Sequence, residues 1–107
     1  MAEDRRKDTA VLACDVGGTR LRVARVYPDG SVCGKKAIST PQGDPTALAR
    51  VLAEAIDGPG GRPEAVVVGI PGPVDYSTGA PLRLPNLLDW EGHIHSSLLQ
   101  DELGIPV

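Results

Sequence analysis

At 107 residues the chain has room for one modest hydrophobic core and not for two. Its apolar share is 41%, with no Phe, one Trp and two Tyr, so that core has to be built from Val, Leu, Ile and Ala, the palette of helices packed on a sheet. The net charge of −3 comes from 11 basic and 14 acidic side chains interspersed along the chain, which leaves no electrostatic footprint for nucleic acid or an anionic membrane.

The opening residues MAEDRRKDTA are polar and charged, lack the apolar segment of a secretory signal, and read as a disordered tail over 1–10. Val11 to Val16 are almost wholly apolar until Asp15, which predicts a strand buried on both faces. Gly17-Gly18-Thr19 then turns the chain, since glycine reaches positive φ without steric cost. Leu21 and Val23 alternate with Arg20 and Arg22 in a second strand ending near Tyr27. Pro28-Asp29-Gly30 is a turn signal, and Ser31 to Ser39 fits a third strand that completes an antiparallel meander.

A helix follows, with Asp44 able to cap, Pro45 suited to the first helical position and Gly58 able to end it. Leu48, Val51, Leu52, Ala55 and Ile56 form its one apolar stripe. The loop Gly58-Pro59-Gly60-Gly61 feeds Ala65 to Ile70, a β-branched run that reads as a central strand, parallel to the first through a crossover. PGPVDYSTGAP reads as a loop, and LRLPNLLDW leads to a second helix over His93 to Leu103. Ile94, Leu98 and either Leu99 or Glu102 with Leu103 mark its faces, and Gly104 is its natural stop.

Ile105-Pro106-Val107 opens another apolar stretch with no body, so the expectation is that these residues are the front part of a longer protein. The order β-β-β-α-β-α-(β) suggests an α/β, ribonuclease H-like lobe of the kind from which sugar kinases, actin and chaperone ATPases are built. The apolar run Ala65 to Val68 is far below the ~20 residues a membrane-spanning helix requires, so a soluble protein is expected. Cys14 and Cys33 each fall within a strand-like stretch and read as small buried apolar residues of a reduced, cytoplasmic chain.

Three clusters carry candidate chemistry. In Asp15-Val16-Gly17-Gly18-Thr19, a turn without β-carbons exposes backbone N–H groups, which with the Thr19 hydroxyl can donate to phosphate oxygens. Asp15 opposes a bare phosphate, because two unit charges ~4 Å apart at an effective dielectric of about 20 repel by ~4 kcal/mol. A Mg²⁺ between them reverses the sign, commonly through bound waters. A plain Gly-Gly hairpin with an acidic shoulder is the alternative. The turn is neither a Walker loop nor a dinucleotide fingerprint.

Gly69-Ile70-Pro71-Gly72-Pro73-Val74-Asp75 ends the last strand in a stiff turn, where a ligand can approach the Gly72 backbone or where the chain merely connects. Asp75 reads as a turn former before it reads as catalytic. Leu84-Pro85-Asn86-Leu87-Leu88-Asp89-Trp90 offers an amide suited to a sugar hydroxyl in Asn86, beside the simpler reading of a turn residue next to a core Trp90. His93 and His95 stand two apart, which on a helix points them to different faces, so surface histidines are preferred over a zinc pair.

The series CDVGGTRLRVARV, VVVGIPGPVDYSTG, LPNLLDW and LLQDELGIPV resembles the ROK family of sugar kinases and related repressors, over about residues 11 to 107. The resemblance implies ATP-dependent phosphoryl transfer to a hexose hydroxyl, as in glucokinases, with Asp15 holding Mg²⁺ and Gly17, Gly18 and Thr19 at the ATP phosphates. It places Gly72, Pro73 and Asn86 at the sugar. The family's general-base aspartate follows an LG-x-PV stretch, so it is expected beyond Val107, with no catalytic base in this chain and no kinase activity from it alone. The family's cysteine-rich zinc motif is likewise expected only beyond this lobe, and a homo-oligomer when the protein is complete. The partners implied are a small sugar and ATP, with no nucleic acid and no membrane. A sugar-sensing regulator that binds a hexose without phosphorylating it is the alternative, and an interaction module a third.

Overall fold

The computed structural model describes residues 10–42, 46–84 and 94–107. Three strands, β1 (Val11–Val16), β2 (Arg20–Val26) and β3 (Val32–Ser39), form the expected meander. Helix α1 (Ala47–Ile56) crosses over to β4 (Ala65–Gly69), which pairs parallel with β1, and the sheet order is β3-β2-β1-β4. A small antiparallel ladder, β5 (Val74–Asp75) with β6 (Ala80–Pro81), precedes helix α2 (Ser96–Leu103). This is the α/β, ribonuclease H-like arrangement inferred from the element order.

Both helices lie over one face of the sheet. Leu12, Cys14 and Val16 of β1, Leu21 and Val23 of β2, and Val66 of β4 share one cluster with Leu48, Leu52 and Ile56 of α1 and Leu99 and Leu103 of α2. Each fully buried leucine contributes about 1.5–3 kcal/mol relative to exposure, and the α1 stripe is the one its spacing predicts.

The opposite face is open. Asp15 is exposed, and Val11 and Ala13 are half-buried, so β1 is not buried on both faces as expected; Val67 of β4, on the same open side, is 59% exposed. Nor is β4 central: it ends the strand order among the described residues. On its outer side the Val66 N–H donates to the Pro106 carbonyl at 2.8 Å, so the apolar run after Gly104 does lie along that edge. The other edge strand, β3, is exposed almost throughout and carries Lys35 and Lys36, charges that discourage edge-to-edge pairing.

Arginines finish both helices. Arg25 follows Leu21 and Val23 on the inward face of β2 and is only 5% exposed. Its Nη2 donates to the carbonyls of Ile56 at 3.0 Å and Gly61 at 2.8 Å, with a longer bond to Gly58 at 3.4 Å. A cation here meets the orphan carbonyls and the negative end of the α1 dipole. Arg62 does the same for α2, donating to Leu103 O at 3.1 Å and Gly104 O at 3.3 Å. Gly104 takes φ 71 as the left-handed cap, as its position predicts.

Several boundaries differ from expectation. Ala10, assigned to the tail, is fully buried, and its carbonyl accepts the Glu64 N–H at 2.9 Å. α1 ends at Ile56 with Asp57 rather than Gly58 as the cap position, while Asp44 and Pro45 lie outside the described residues. α2 starts at Ser96, because His95 is extended (φ −138, ψ 144). Its buried face is Leu99 and Leu103, one turn apart, and Leu98 points outward.

Candidate functional site

Asp15 and the turn that follows it occupy one end of the sheet, where the alternation of β1 dictates the geometry. Leu12, Cys14 and Val16 face the helices, so Asp15 must face the other way, onto the open side. Its Cα partners are Arg22 on β2 and Gly69 on β4. A β-carbon added at Gly69 would lie 3.7 Å from Asp15 Oδ1, so the missing side chain leaves that flank of the carboxylate clear. Among the described residues, nothing donates a hydrogen bond to the Asp15 carboxylate. The carboxylate borders a shallow depression of about 720 Å³ floored by Ala13, Ala24, Val67 and Gly69, with Arg22 and Lys35 on its flank.

The chain reverses between Val16 and Leu21, and the Gly17 N–H closes the reversal on the Arg20 carbonyl at 2.8 Å. Gly17 is needed for closeness and not for dihedral freedom, correcting the expectation of positive φ. Neither Gly17 nor Gly18 has positive φ, whereas a β-carbon at Gly17 would stand 2.8 Å from the Arg20 oxygen. The hairpin and the phosphate seat are therefore compatible readings of one turn. Its carbonyls are occupied: Gly17 O accepts Thr40 Oγ1 at 2.7 Å, Gly18 O accepts Gln42 Nε2 at 2.7 Å, and Thr19 O accepts the Thr40 N–H at 2.9 Å. The Gly18 and Thr19 N–H groups and the Thr19 hydroxyl have no acceptor among the described residues.

These donors, with an exposed carboxylate nearby on the same strand end, are the chemistry a magnesium-bound phosphate needs. The described residues contain no cluster of three or more His, Cys, Asp or Glu able to enclose a metal by themselves. A Mg²⁺ held here would take its remaining ligands from phosphate and water, which is its ordinary habit.

The second cluster is shaped by the protein itself. A β-carbon at Gly72 would fall 2.1 Å from the Arg83 carbonyl oxygen, so the space beside this glycine is filled by its own chain. Pro73 offers its carbonyl to the Leu82 N–H at 2.9 Å, and the stretch read as a plain loop is the β5–β6 hairpin. Sequence reading missed that hairpin because each strand is two residues long, too short for any periodicity to register. Asp75 Oδ1 accepts the Ser77 N–H at 2.9 Å and its hydroxyl at 2.6 Å, and these bonds hold the carboxyl below its usual range. Asp75 is a turn former, as preferred from its setting. Asn86, Asp89, Trp90 and His93 lie outside the described residues.

The cysteines divide. Cys14 is buried, and burial foremost, helped by the Asp15 charge, pushes its thiol up to about 12, so it is an inert core residue as expected. Cys33 is exposed, against expectation, because it belongs to edge strand β3; the Tyr27 hydroxyl stands 3.3 Å from its sulfur.

No protein-family model and no curated protein matches the chain. Solved structures do. A ROK family protein from Streptococcus pneumoniae in complex with sucrose superposes with a TM-score of 0.80 at 23% identity, covering 92% of this chain and 33% of that one. A ROK family glucokinase from Streptomyces griseus, solved with glucose and AMPPNP, gives 0.78 at 26%, covering 92% and 31%. An inorganic polyphosphate/ATP-glucomannokinase from an Arthrobacter strain gives 0.75 at 25%, covering 92% and 42%. The chain thus spans about a third of the length of the first two. No described helix is long and apolar enough to cross a membrane. In its fold and in the order of its motifs, the chain resembles the ROK family of sugar kinases over a stretch consistent with their amino-terminal part.

Proposed function

We propose that this chain is the phosphate-gripping lobe of an ATP-dependent, glucokinase-like sugar kinase of the ROK type. The observation that carries the reading is the turn after Asp15: the Gly18 and Thr19 N–H groups have no acceptor among the described residues, and they follow an exposed carboxylate at the same strand end. Bound Mg²⁺ would neutralise developing charge on the transferred phosphoryl group. The chain's own part is positional: Gly18, Thr19 and the Thr19 hydroxyl donate to phosphate oxygens, and Asp15 anchors the ion.

Gly72 and Pro73, with Asn86, border the hexose in this reading. The tight seating of Gly72 against Arg83 makes the Gly72–Pro73 turn a rigid wall rather than an adaptable one. The general base and the lobe that grips adenosine lie outside these residues, and the chain by itself does not phosphorylate sugar. A cytoplasmic, homo-oligomeric enzyme completes the proposal.

The test is calorimetric titration of the chain with AMPPNP, with and without Mg²⁺. Wild type is expected to bind more tightly with the metal, and Asp15→Ala to lose that difference while keeping its fold. Equal metal dependence in the two proteins would contradict the role given to Asp15.

A further inference from the structure

We infer that Thr40 and Gln42, the residues just past the end of β3, are positioning residues that aim the phosphate turn; this rests on the reading of that turn as a phosphate seat. Three consecutive carbonyls, those of Gly17, Gly18 and Thr19, are each taken by this pair, at 2.7, 2.7 and 2.9 Å. The described chain has no cis peptide, and in a trans peptide the C=O and the following N–H point in opposite directions. Drawing the Gly17 oxygen toward Thr40 therefore turns the Gly18 N–H away from it. Drawing the Gly18 oxygen toward Gln42 does the same for the Thr19 N–H. The donors available to phosphate are set by what grips the carbonyls behind them.

The two residues differ in environment. Thr40 is 4% exposed and contributes both its N–H and its hydroxyl, so it is fixed by burial. Gln42 is exposed, and nothing in the core requires an amide there; its Nε2 spans to the turn and, at 3.4 Å, to the Thr40 carbonyl. An exposed glutamine spent on a loop carbonyl makes sense if the orientation of that loop matters. Neither residue would touch the phosphate, since each donates to the side of the peptide planes opposite the free N–H groups.

The experiment measures AMPPNP affinity with Mg²⁺ by calorimetry, together with ¹⁵N relaxation of Gly18 and Thr19 in the free chain. Gln42→Ala is expected to weaken binding about two- to tenfold, the net worth of one neutral hydrogen bond, and to loosen both amides without moving the thermal midpoint. Thr40→Val is expected to weaken it by a similar factor, and Thr40→Ser, which keeps the hydroxyl, to restore it. If Thr40→Val does not fold, the exposed Gln42 variant decides. Wild-type affinity with unaltered amide order in Gln42→Ala overturns the inference and leaves the phosphate seat standing. Failure of the wild-type chain to bind overturns the seat itself, and the relaxation data then report on the turn alone.

Discussion

Two turns in this chain have nearly the same ingredients and opposite outcomes. Asp15-Val16-Gly17-Gly18-Thr19 and Asp75-Tyr76-Ser77-Thr78-Gly79 both begin with aspartate and contain glycine and threonine. In the second, the polar groups satisfy one another. The Asp75 side chain holds Ser77, the Thr78 and Gly79 N–H groups donate to Asp75 O at 3.3 and 2.7 Å, and Thr78 Oγ1 accepts the Ala80 N–H at 3.3 Å. In the first, the Gly17 N–H closes the turn on Arg20 O, but the carbonyls are gripped from outside and the Gly18 and Thr19 N–H groups point away with no acceptor among the described residues. A turn closed on itself is structure; a turn held open by its neighbours is available for a ligand.

Position, not composition, separates them. Asp29 and Asp75 each stand two residues before a serine and each accept its N–H and hydroxyl, at 2.9 and 2.6 Å in both cases. Asp29 sits in a turn and Asp75 is the last residue of β5, whereas Asp15 lies inside β1, where the extended backbone carries its side chain onto the sheet face and out of reach of the residue two ahead.

Both turns depend most heavily on the shared core. Leu52→Ala should cost about 2–5 kcal/mol in denaturant unfolding, because the fully buried side chain joins α1 to the sheet that carries the first turn. A β-carbon at Gly17 or Gly72 acts locally. Each alanine variant is expected to lose about 1–3 kcal/mol, with Gly72→Ala the worse, since its methyl would meet backbone oxygen at 2.1 Å against 2.8 Å.

Exchanging the aspartates sharpens the contrast further. Asp75→Ala should loosen the second hairpin and leave nucleotide binding untouched, while Asp15→Ala should do the reverse. Acid separates them too. Asp75 has a lowered pKa in the folded chain, so its contribution is present above the unfolded carboxyl's titration and is lost as pH falls through the folded value. Amide protection at Ser77 should therefore persist below the ordinary aspartate range before it collapses. The smallest effect is chemical: iodoacetamide should modify exposed Cys33 in the native chain and spare Cys14, whose thiol is pushed up to about 12.

Much of this was legible in the residues. The meander, the α1 stripe, the parallel return of β4 and the left-handed Gly104 followed from period, β-branching and caps, because each is a local rule repeated over several residues. Aspartate and the paired glycines marked the first turn. What could not be read was whatever depends on contacts distant in the chain. Thr40 and Gln42 carried no signal of their own, because their partners lie 23 and 24 residues back. Arg25 had a signal, falling in step with Leu21 and Val23 on the inward face, yet its acceptors lie 31 or more residues on. The openness of one sheet face was equally invisible, since apolar runs in β1 and β4 look alike whether or not anything covers them.

The most direct measurement is a ¹H–¹⁵N titration of the chain with AMPPNP and Mg²⁺, following the amides of both turns at once. Gly18 and Thr19 are expected to move on saturation and to need both the metal and Asp15 to do so, while Ser77 and Gly79 stay in place. Still amides at Gly18 and Thr19 under a saturating metal–nucleotide concentration would contradict the phosphate seat.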